Sequence, residues 1–462
     1  MGVAGVYDVR TARRPLVPPR PPRAPEDMST LAQIAALRAN VISTWSLRAY
    51  QEEIIKARFL FRTNFVVNQP EAIRHVLVDN YENYTRTPPG IRVLRPILGQ
   101  GVLTAEGRAW KHQRRTLAPA FTPRAVATLV PHMIAGIDDA IATLRANEDQ
   151  PVDVRRIMQR MTLEIAGRTM FSFEMGRHGA TLREFVMEYG ERLARPQPLD
   201  LLLPLSWPSP LDFSRARFRK RWIQFMSTVM AERRAIGKKE GAPARDLFDL
   251  LDAARDPETG AAFSEEQLRD EVATMILAGH ETTATALFWA LYLLALDPAT
   301  QDEVVGEARR VAATGAADLD RLRFTRAVIE ETMRLYPPVF LIARAAAAPD
   351  SIGGLPVRKG DAILISPWLL HRHEKLWTDP DAFIPARFMA GAPQPDRFAY
   401  LPFGVGPRVC IGAHFAMVEA TLALAKLIET FHFSLIDKKP AIAVGVVTTQ
   451  PDYSPMFSIT RR

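Results

Sequence analysis

The sequence predicts a mostly α-helical fold, with one large helical unit and a small β portion near the N-terminal side. From residue 107 to about residue 445, apolar residues recur at spacings of three and four, with Pro and Gly between the periodic segments. This pattern is typical of amphipathic helices. Residues 64–68 form a short apolar run bounded by asparagines, which indicates a strand. Residues 272–296 are the most apolar run and predict a central helix.

The composition is that of a folded globular protein. Of 462 residues, 47% are hydrophobic and 24% are charged, which provides for a large core and argues against disorder. The single cysteine excludes an internal disulfide and a cysteine-built zinc site, so we expect a reducing, cytoplasmic location. The formal net charge is +8, but the basic residues are spread along the chain among 51 acidic ones, and no nucleic-acid-binding motif accompanies them. We therefore expect an acidic protein partner and no nucleic acid.

The N-terminal segment is rich in proline. Repeated prolines fix φ and remove backbone donors, so residues 1–27 are expected to form an extended lead-in. Residues 28–462 are expected to form a single domain. No apolar stretch of signal-peptide or anchor length precedes that domain, so we expect neither export nor a membrane anchor.

Two interpretations of residues 272–296 stay open. The segment is long enough to span a bilayer, but polar residues interrupt its middle. Such residues are costly in lipid and mark functional positions. A buried axis with a functional notch is therefore favoured over a transmembrane helix. The interrupting residues are His280, Glu281, Thr282, Thr283 and Thr285.

Two further segments have surface interpretations. The prolines of residues 196–210 indicate a long excursion between helices that could act as a lid. The cationic run of residues 215–221 that follows it is interpreted as a solvated helix face, with a membrane or partner site as the alternative.

The only cysteine lies in a glycine-rich loop, FGVGPRVCIG at residues 403–412, before a long amphipathic stretch that predicts a helix. At a helix N-terminus the free N–H groups and the dipole favour the thiolate, so we expect the pKa of Cys410 to be lowered. The glycines allow the backbone to turn sharply around the sulfur. A buried apolar cysteine is the alternative, but the glycines and Arg408 favour a charged metal ligand.

This loop resembles the haem-ligand loop of cytochromes P-450, because every fixed position of Phe-x-x-Gly-x-Arg-x-Cys-x-Gly is met. The chain thus resembles the bacterial-type, soluble haem-thiolate monooxygenases, and the resemblance implies the P-450 fold. It also implies that the Cys410 thiolate binds the haem iron. Phe403 would pack beside the sulfur and Arg408 would pair a haem propionate.

A second matching segment, AGHETT at residues 278–283, lies within the apolar run. Ala278 and Thr282 are four apart and share a helix face, and the small Ala278 and Gly279 would let a flat cofactor approach the backbone. Alone, Thr282 would back-bond to the preceding turn and Glu281 would suggest a salt bridge. The resemblance implies instead an acid–alcohol pair that delivers protons during dioxygen activation. Thr282 and Glu281 are therefore the candidate catalytic residues.

A third match is structural. Glu331 and Arg334 are three apart on a predicted helix, which by itself indicates only a weak surface pair. Arg387 follows where the family has its Pro-x-Arg-Phe segment. The resemblance implies a buried network of these three residues that holds the haem-loop region in shape.

The remaining site residues face the haem propionates in the family. Trp110 and Arg114 are four apart on one predicted helix face, and the resemblance implies that they and Arg344 reach the propionates. Cations near this helix could face an acidic electron donor. They are Arg108, Lys111 and Arg115.

The resemblance implies that one oxygen atom of dioxygen enters a hydrophobic organic substrate. The cofactor would be haem b, and the electrons would come from a separate ferredoxin- or flavodoxin-type donor with its reductase. We expect a monomer without a fused flavin or iron–sulfur module. The open alternatives are a peroxide-using or isomerising haem-thiolate enzyme, a haem-based sensor or carrier, and a membrane transporter.

The expected substrate pocket is mainly apolar, with Arg92 and Arg95 as exceptions. Such a lining indicates a fatty acid, a terpenoid or an aromatic compound, and the AGHETT wording leans towards fatty acids. Besides Ala278 and Thr282, the expected lining segments are residues 88–103, 196–210, 339–342 and 446–449.

Overall fold

The computed structural model describes residues 14–59, 62–148, 150–172, 178–194, 199–200, 203–237, 243–313 and 319–462. The predicted lead-in therefore lies outside the described residues up to residue 13, and so does part of the proline-rich excursion. The α-helices are α1 (Thr30–Ala39), α2 (Pro70–Arg74), α3 (Pro88–Leu98), α4 (Gly107–Leu117), α5 (Pro123–Arg145), α6 (Val154–Phe171), α7 (Gly179–Glu188), α8 (Pro210–Ala235), α9 (Leu247–Asp252), α10 (Glu265–Leu296), α11 (Pro298–Ala312), α12 (Arg323–Leu335), α13 (Pro367–Leu370) and α14 (Ala413–Thr430).

The β portion is small, as predicted. Its strands are β1 (Ile54–Phe59), β2 (Arg62–Val67), β3 (Tyr84–Arg86), β4 (Ile342–Ala346), β5 (Asp350–Ile352), β6 (Leu355–Val357), β7 (Ala362–Ile365), β8 (Phe431–Leu435), β9 (Ala443–Gly445), β10 (Thr449–Pro451) and β11 (Phe457–Arg461).

The main sheet joins distant parts of the chain. Its strand order is β1-β2-β7-β4-β3, so the three N-terminal strands enclose two strands from the second half. Only the β2–β7 pair is parallel. The prediction of an early β portion is confirmed by β1, β2 and β3, and β4 and β7 complete the sheet from a region where the helical pattern dominates. The pairing of β3 with β4 brings residues about 260 positions apart side by side.

The long helix α10 runs through the protein interior. Its N-terminus is a capping box, in which Ser264 and Gln267 satisfy each other's backbone N–H groups. Residues 283–294 are all buried, and α10 packs against α6, α12 and α14. The interpretation as a buried axis is confirmed.

A different helix is the membrane-span candidate. By length and composition alone, α5 is the one helix of the described residues that could cross a membrane. It packs against α6 and α14, and its buried side chains include Leu129, Met133 and Ile137. These contacts are those of a core helix.

The described part of the lead-in lies against the C-terminal half of the chain. Phe383 donates its N–H to the carbonyl of Leu16 over 2.7 Å. The Tyr336 hydroxyl donates to the carbonyl of Pro19 over 2.7 Å, and Arg20 forms an ion pair with Asp381. Residues 14–20 are therefore fixed to the end of α12 and to the segment near residue 382.

The predicted Glu331, Arg334 and Arg387 network is confirmed. Arg334 donates to both carboxylate oxygens of Glu331 over 2.7 and 2.8 Å, and Arg387 lies 3.4 Å from the same carboxylate. The Ile384 N–H donates to Glu331 over 2.8 Å. Arg334 also binds three carbonyls, those of His371, Pro380 and Ala382. This fully buried pair thus ties α12 to the segment that precedes the cysteine loop.

Replacing Glu331 by Gln should lower the free energy of unfolding by about 3–5 kcal/mol, because it leaves the buried Arg334 guanidinium without its counter-charge. The matched control is Glu330→Gln, because Glu330 pairs with the more exposed Arg326 and should contribute less than about 1 kcal/mol. Denaturant unfolding of both variants is the measurement. Equal losses in the two variants would contradict the structural role of the network.

Candidate active site

The cysteine loop is closed by backbone hydrogen bonds. The Cys410 N–H donates to the Phe403 carbonyl over 2.9 Å, and the Val409 N–H donates to Gly406 over 3.0 Å. Gly406 has φ +76°, and a Cβ there would collide with the Leu77 carbonyl. Only glycine allows this close approach. The loop shape therefore depends on Gly406 and places Cys410 directly before α14.

The thiol of Cys410 has competing electrostatic surroundings. Burial raises the pKa of the Cys410 thiol, while the Gly412 backbone N–H and the Arg114 guanidinium act to lower it. The expected lowering groups are thus present, but the prediction of a lowered pKa is wrong in its net direction, because burial outweighs them. The residue nevertheless retains accessible surface.

The middle of α10 is open where its neighbouring turns are buried. Ala278 is exposed, and a Cβ added to Gly279 would meet nothing within 4 Å. Gly412, beside the cysteine, has the same freedom. Ile411 packs into the apolar cluster that contains Ile276 of α10. The middle of α10 and the cysteine loop therefore both keep open surface and both adjoin one apolar cluster, as a cofactor site between them would require.

The Thr282 hydroxyl faces the same turn as Ala278. It donates to the Ala278 carbonyl over 2.7 Å, which is the back-bonding expected of a helical Thr. Because the single hydroxyl proton is used there, the lone pairs of Oγ1 remain able to accept a hydrogen bond.

The Glu281 carboxylate points to another part of the molecule. It accepts from Gln450 over 2.6 Å and from Gln159 over 3.5 Å, and His280 lies 3.5 Å away. Gln450 in turn accepts from Arg155 over 3.0 Å. The structure therefore places Glu281 and Thr282 on adjacent positions without a bond between their side chains, and sequence reasoning missed the two glutamines.

Three arginines converge near the cysteine loop. Arg86 lies 3.0 Å from Glu106, and Arg408 forms a second ion pair with the same carboxylate. Arg344 is directly opposite Arg86 across β3 and β4, yet among the described residues its guanidinium donates only to the neighbouring Ala343 carbonyl. Among the described residues, one carboxylate thus pairs with two of these guanidinium groups, and the third has no carboxylate partner.

This cluster carries excess positive charge. The pKa of Arg86 and that of Arg344 are each lowered to about 10, mainly by burial and in part by the neighbouring arginines, while Glu106 opposes the shift. Like charges directly opposite on paired strands are destabilising. A bound anion would remove that cost, and a carboxylate matches the fork of a guanidinium group. The donor set therefore fits the two propionates of a haem.

The other predicted propionate residues lie around this cluster. The guanidinium of Arg408 lies 4.4 Å from the ring centre of the buried Trp110, and the half-buried Arg114 is close enough to influence Cys410. Phe403 is partly buried against the main core. Arg86 and Glu106 were missed, because only the strand pairing reveals that Arg86 lies beside Arg344.

The cations proposed to face an electron donor differ in their contacts. Lys111 lies 2.6 Å from Glu82, and Arg115 pairs with Asp256 and Glu258 over 3.0 Å each. Arg108 is exposed. Two of the three are therefore already paired within the chain.

Apolar side chains are exposed on the segments expected to line the pocket. Leu103, Val339 and Val447 are 38%, 42% and 45% exposed. Arg92 is buried, and it donates to the carbonyls of residues 203, 204 and 207. Its guanidinium is therefore occupied by the proline-rich excursion, whereas Arg95 is exposed.

Comparisons with known proteins identify the family of this chain. The Cytochrome P450 family model matches residues 18–456. Cyclooctatin synthase of Streptomyces melanosporofaciens is 33% identical over 384 residues, which are 81% of this chain and 82% of that protein. Cyclooctat-9-en-7-ol 5-monooxygenase of the same organism is 33% identical, with 72% of each chain covered.

A solved structure shares the fold. The crystal structure of the cytochrome P450DA heme domain has a TM-score of 0.78 and 24% identity, and the match covers 97% of this chain and 99% of that chain. Together with the family match over residues 18–456, the chain belongs to the cytochrome P450 family of haem-thiolate monooxygenases.

Proposed function

We propose that this protein inserts one oxygen atom of dioxygen into a hydrophobic organic substrate, with haem b as its cofactor. The observation that carries the proposal is a cluster of three arginines, in which Arg86 and Arg408 share the Glu106 carboxylate and Arg344 lies opposite Arg86, together with an accessible cysteine. When bound, haem supplies dioxygen activation, which a thiolate ligand favours by pushing electron density toward O–O cleavage.

Each residue has a distinct role in this proposal. Cys410 ligates the iron, whose charge would stabilise the thiolate against the effect of burial. Arg86, Arg344 and Arg408 would hold the propionates with Arg114, while Trp110 and Phe403 would pack around the cofactor. The small Ala278 and Gly279 would leave space for it beside α10.

Protons are handled by two side chains on α10. The Thr282 hydroxyl donates its proton in a hydrogen bond to the Ala278 carbonyl. Its Oγ1 would therefore accept a hydrogen bond from a group bound next to it. Glu281 is held by Gln450 and Gln159 outside that turn. Because its carboxylate does not bond to the Thr282 hydroxyl, a relay between the two side chains would run through bridging water.

An apolar, neutral substrate is favoured over a fatty acid. The exposed Leu103, Val339 and Val447 offer an apolar lining, and Arg92 is committed to backbone carbonyls and so does not anchor a carboxylate. One relative is named for acting on cyclooctat-9-en-7-ol, an alcohol by its name. We propose a terpenoid-like substrate of this kind.

The electron donor is proposed to be a separate, acidic ferredoxin or flavodoxin with its reductase. Arg108 is the exposed cation of α4, and complementary charge would speed the encounter. We also propose a monomeric, cytoplasmic enzyme, in which residues 28–462 form the haem-thiolate catalytic domain and residues 1–27 the lead-in.

Reduced wild-type protein under carbon monoxide should show a strongly red-shifted Soret band that Cys410→Ser loses, because the band reports thiolate ligation. Absorption spectra of both proteins, reconstituted with haem, are the measurement. A wild-type band that survives the substitution would show that Cys410 is not the ligand and would refute the proposal.

Thr282→Ala should keep the carbon monoxide spectrum but form more hydrogen peroxide per NADPH consumed, because the hydroxyl oxygen that accepts a hydrogen bond at the proton-delivery site is lost. Thr282→Ser is the matched control and should resemble wild type. Peroxide per NADPH is measured with a plant-type ferredoxin and its reductase, using whichever neutral terpene alcohol gives the largest spin-state shift. Unchanged coupling in Thr282→Ala would favour the peroxide-using alternative.

Arg344→Gln should accelerate haem loss roughly ten- to a hundredfold, because it removes a charge-assisted bond to a propionate. The rate is followed by haem transfer to excess apomyoglobin. Arg326→Gln, a surface change far from the cluster, should leave the rate unchanged. Equal rates in all three proteins would show that Arg344 does not hold the cofactor.

A further inference from the structure

The loop of residues 99–104, between α3 and α4, is held against α10 by hydrogen bonds. Asp270 accepts the Gln100 N–H over 2.8 Å, and Glu271 accepts the Val102 N–H over 3.0 Å. Two adjacent carboxyl groups therefore hold alternate backbone donors of one loop.

Glycines allow the loop to lie directly on the helix. Gly99 has φ +59°, and a Cβ there would overlap the Asp270 carboxylate. A Cβ on Gly101 would overlap the Thr274 hydroxyl and would lie 2.9 Å from the Asp270 carbonyl. The loop is thus fitted to α10 at backbone distance, and its position is sensitive to these side chains.

Glu271 is an unusual residue at this contact. It is fully buried, and its Oε1 atom has no hydrogen-bond partner within the described residues. A buried carboxyl with an unsatisfied oxygen is costly. Among the described residues, Glu271 forms one hydrogen bond, which it accepts from the Val102 N–H of the loop. We therefore interpret holding the loop as the role of this buried carboxyl group.

The 99–104 loop connects α10 with the cluster of Arg86, Arg344 and Arg408. Glu271 precedes Ala278 by seven residues, which places both on one face of α10, two turns apart. At its other end, the loop leads to Ala105, whose carbonyl accepts from Arg86 and Arg408. Leu103, an exposed apolar side chain, lies between these two attachments.

We propose that Glu271 is a positioning residue that, with Asp270, fixes the 99–104 loop so that Leu103 forms one wall of the substrate cavity and limits the size of the apolar ligands that fit. The inference rests on the proposed function, because it assigns this wall to the same cavity.

The carboxyl is best described as neutral near pH 7. Burial raises the pKa of Glu271 to about 8; the Val102 N–H opposes this shift, and Asp270 adds to it. Asp270 itself faces Arg219 and Arg269 over 3.5 and 3.8 Å. Glutamine is therefore close to isosteric and isoelectronic with Glu271, and it keeps an oxygen that accepts from Val102.

The test compares Glu271→Ala, Glu271→Gln and Glu307→Ala. Glu307 is the matched control, because it is also buried and accepts hydrogen bonds from the backbone N–H groups of Phe324 and Thr325 over 2.8 Å. These two donors lie on α12 and not on the 99–104 loop. The probes are imidazole and 4-phenylimidazole, whose binding to the haem protein is read from the Soret shift.

Glu271→Ala should change the ratio of the two dissociation constants about tenfold, since a displaced Leu103 affects only the larger ligand. Glu271→Gln and Glu307→Ala should keep the wild-type ratio. Amide hydrogen exchange of the peptide that contains residues 99–105 should be faster in Glu271→Ala alone.

An unchanged ratio and unchanged exchange in Glu271→Ala would overturn the inference. Should that variant not fold, Leu103→Ala decides, because it must change the same ratio if Leu103 is the wall. The proposed function fails separately, through the absence of a thiolate-type carbon monoxide spectrum in the wild type.

The pH dependence provides a further readout. A carboxyl with a raised pKa in the folded protein contributes most below its unfolded value and loses that contribution as pH rises to about 8. Protection of the loop in wild type should therefore fall relative to Glu271→Gln between pH 5 and pH 8. A constant difference between the two proteins would contradict the assigned burial of this group.

Discussion

The mutual repulsion of Arg86, Arg344 and Arg408 is the constraint on which the active site depends. Sheet pairing places Arg344 directly opposite Arg86, and Glu106 compensates only part of the charge. Such an arrangement is unfavourable until an anion enters. Because a ligand that binds only the folded protein stabilises it, cofactor binding and the geometry of this sheet edge are energetically coupled.

The buried pair of Glu331 and Arg334 differs from this arginine cluster in its bonding. There, the hydrogen bonds of the Arg334 guanidinium end on a carboxylate and on three carbonyls, so the network is complete within the chain and its role is structural. Arg344 is only partly buried, and among the described residues its guanidinium donates to one carbonyl. A charge that has no paired counter-charge among those residues and stays open to a ligand distinguishes this binding site from the scaffold contact.

Local motifs predicted those parts of the site whose geometry is set within one segment. Cys410 and its glycines form one loop, Ala278 and Thr282 share one helix face, and Glu331 lies one turn from Arg334. Arg86 and Gln450 could not be found in this way, because a strand pairing and a C-terminal hairpin bring them to the site. The solvated-face interpretation was wrong for Arg215, which is buried on Asp200, because helix periodicity does not reveal which neighbour covers a face.

Sequence periodicity also could not show which partners cover the cations of α3 and α8. Arg92 binds the carbonyls of residues 203, 204 and 207, and Arg215 binds Asp200 and Asp212. Both cations lie inside the protein, so separating either from its partners would expose an uncompensated charge or backbone group. The helix α3, the described excursion residues and the start of α8 are therefore held to one another, so a displacement of one of them would involve the others. Arg219 of α8 also pairs with Asp270, the residue that holds the 99–104 loop to α10, so this unit and the loop are joined through the same carboxylate.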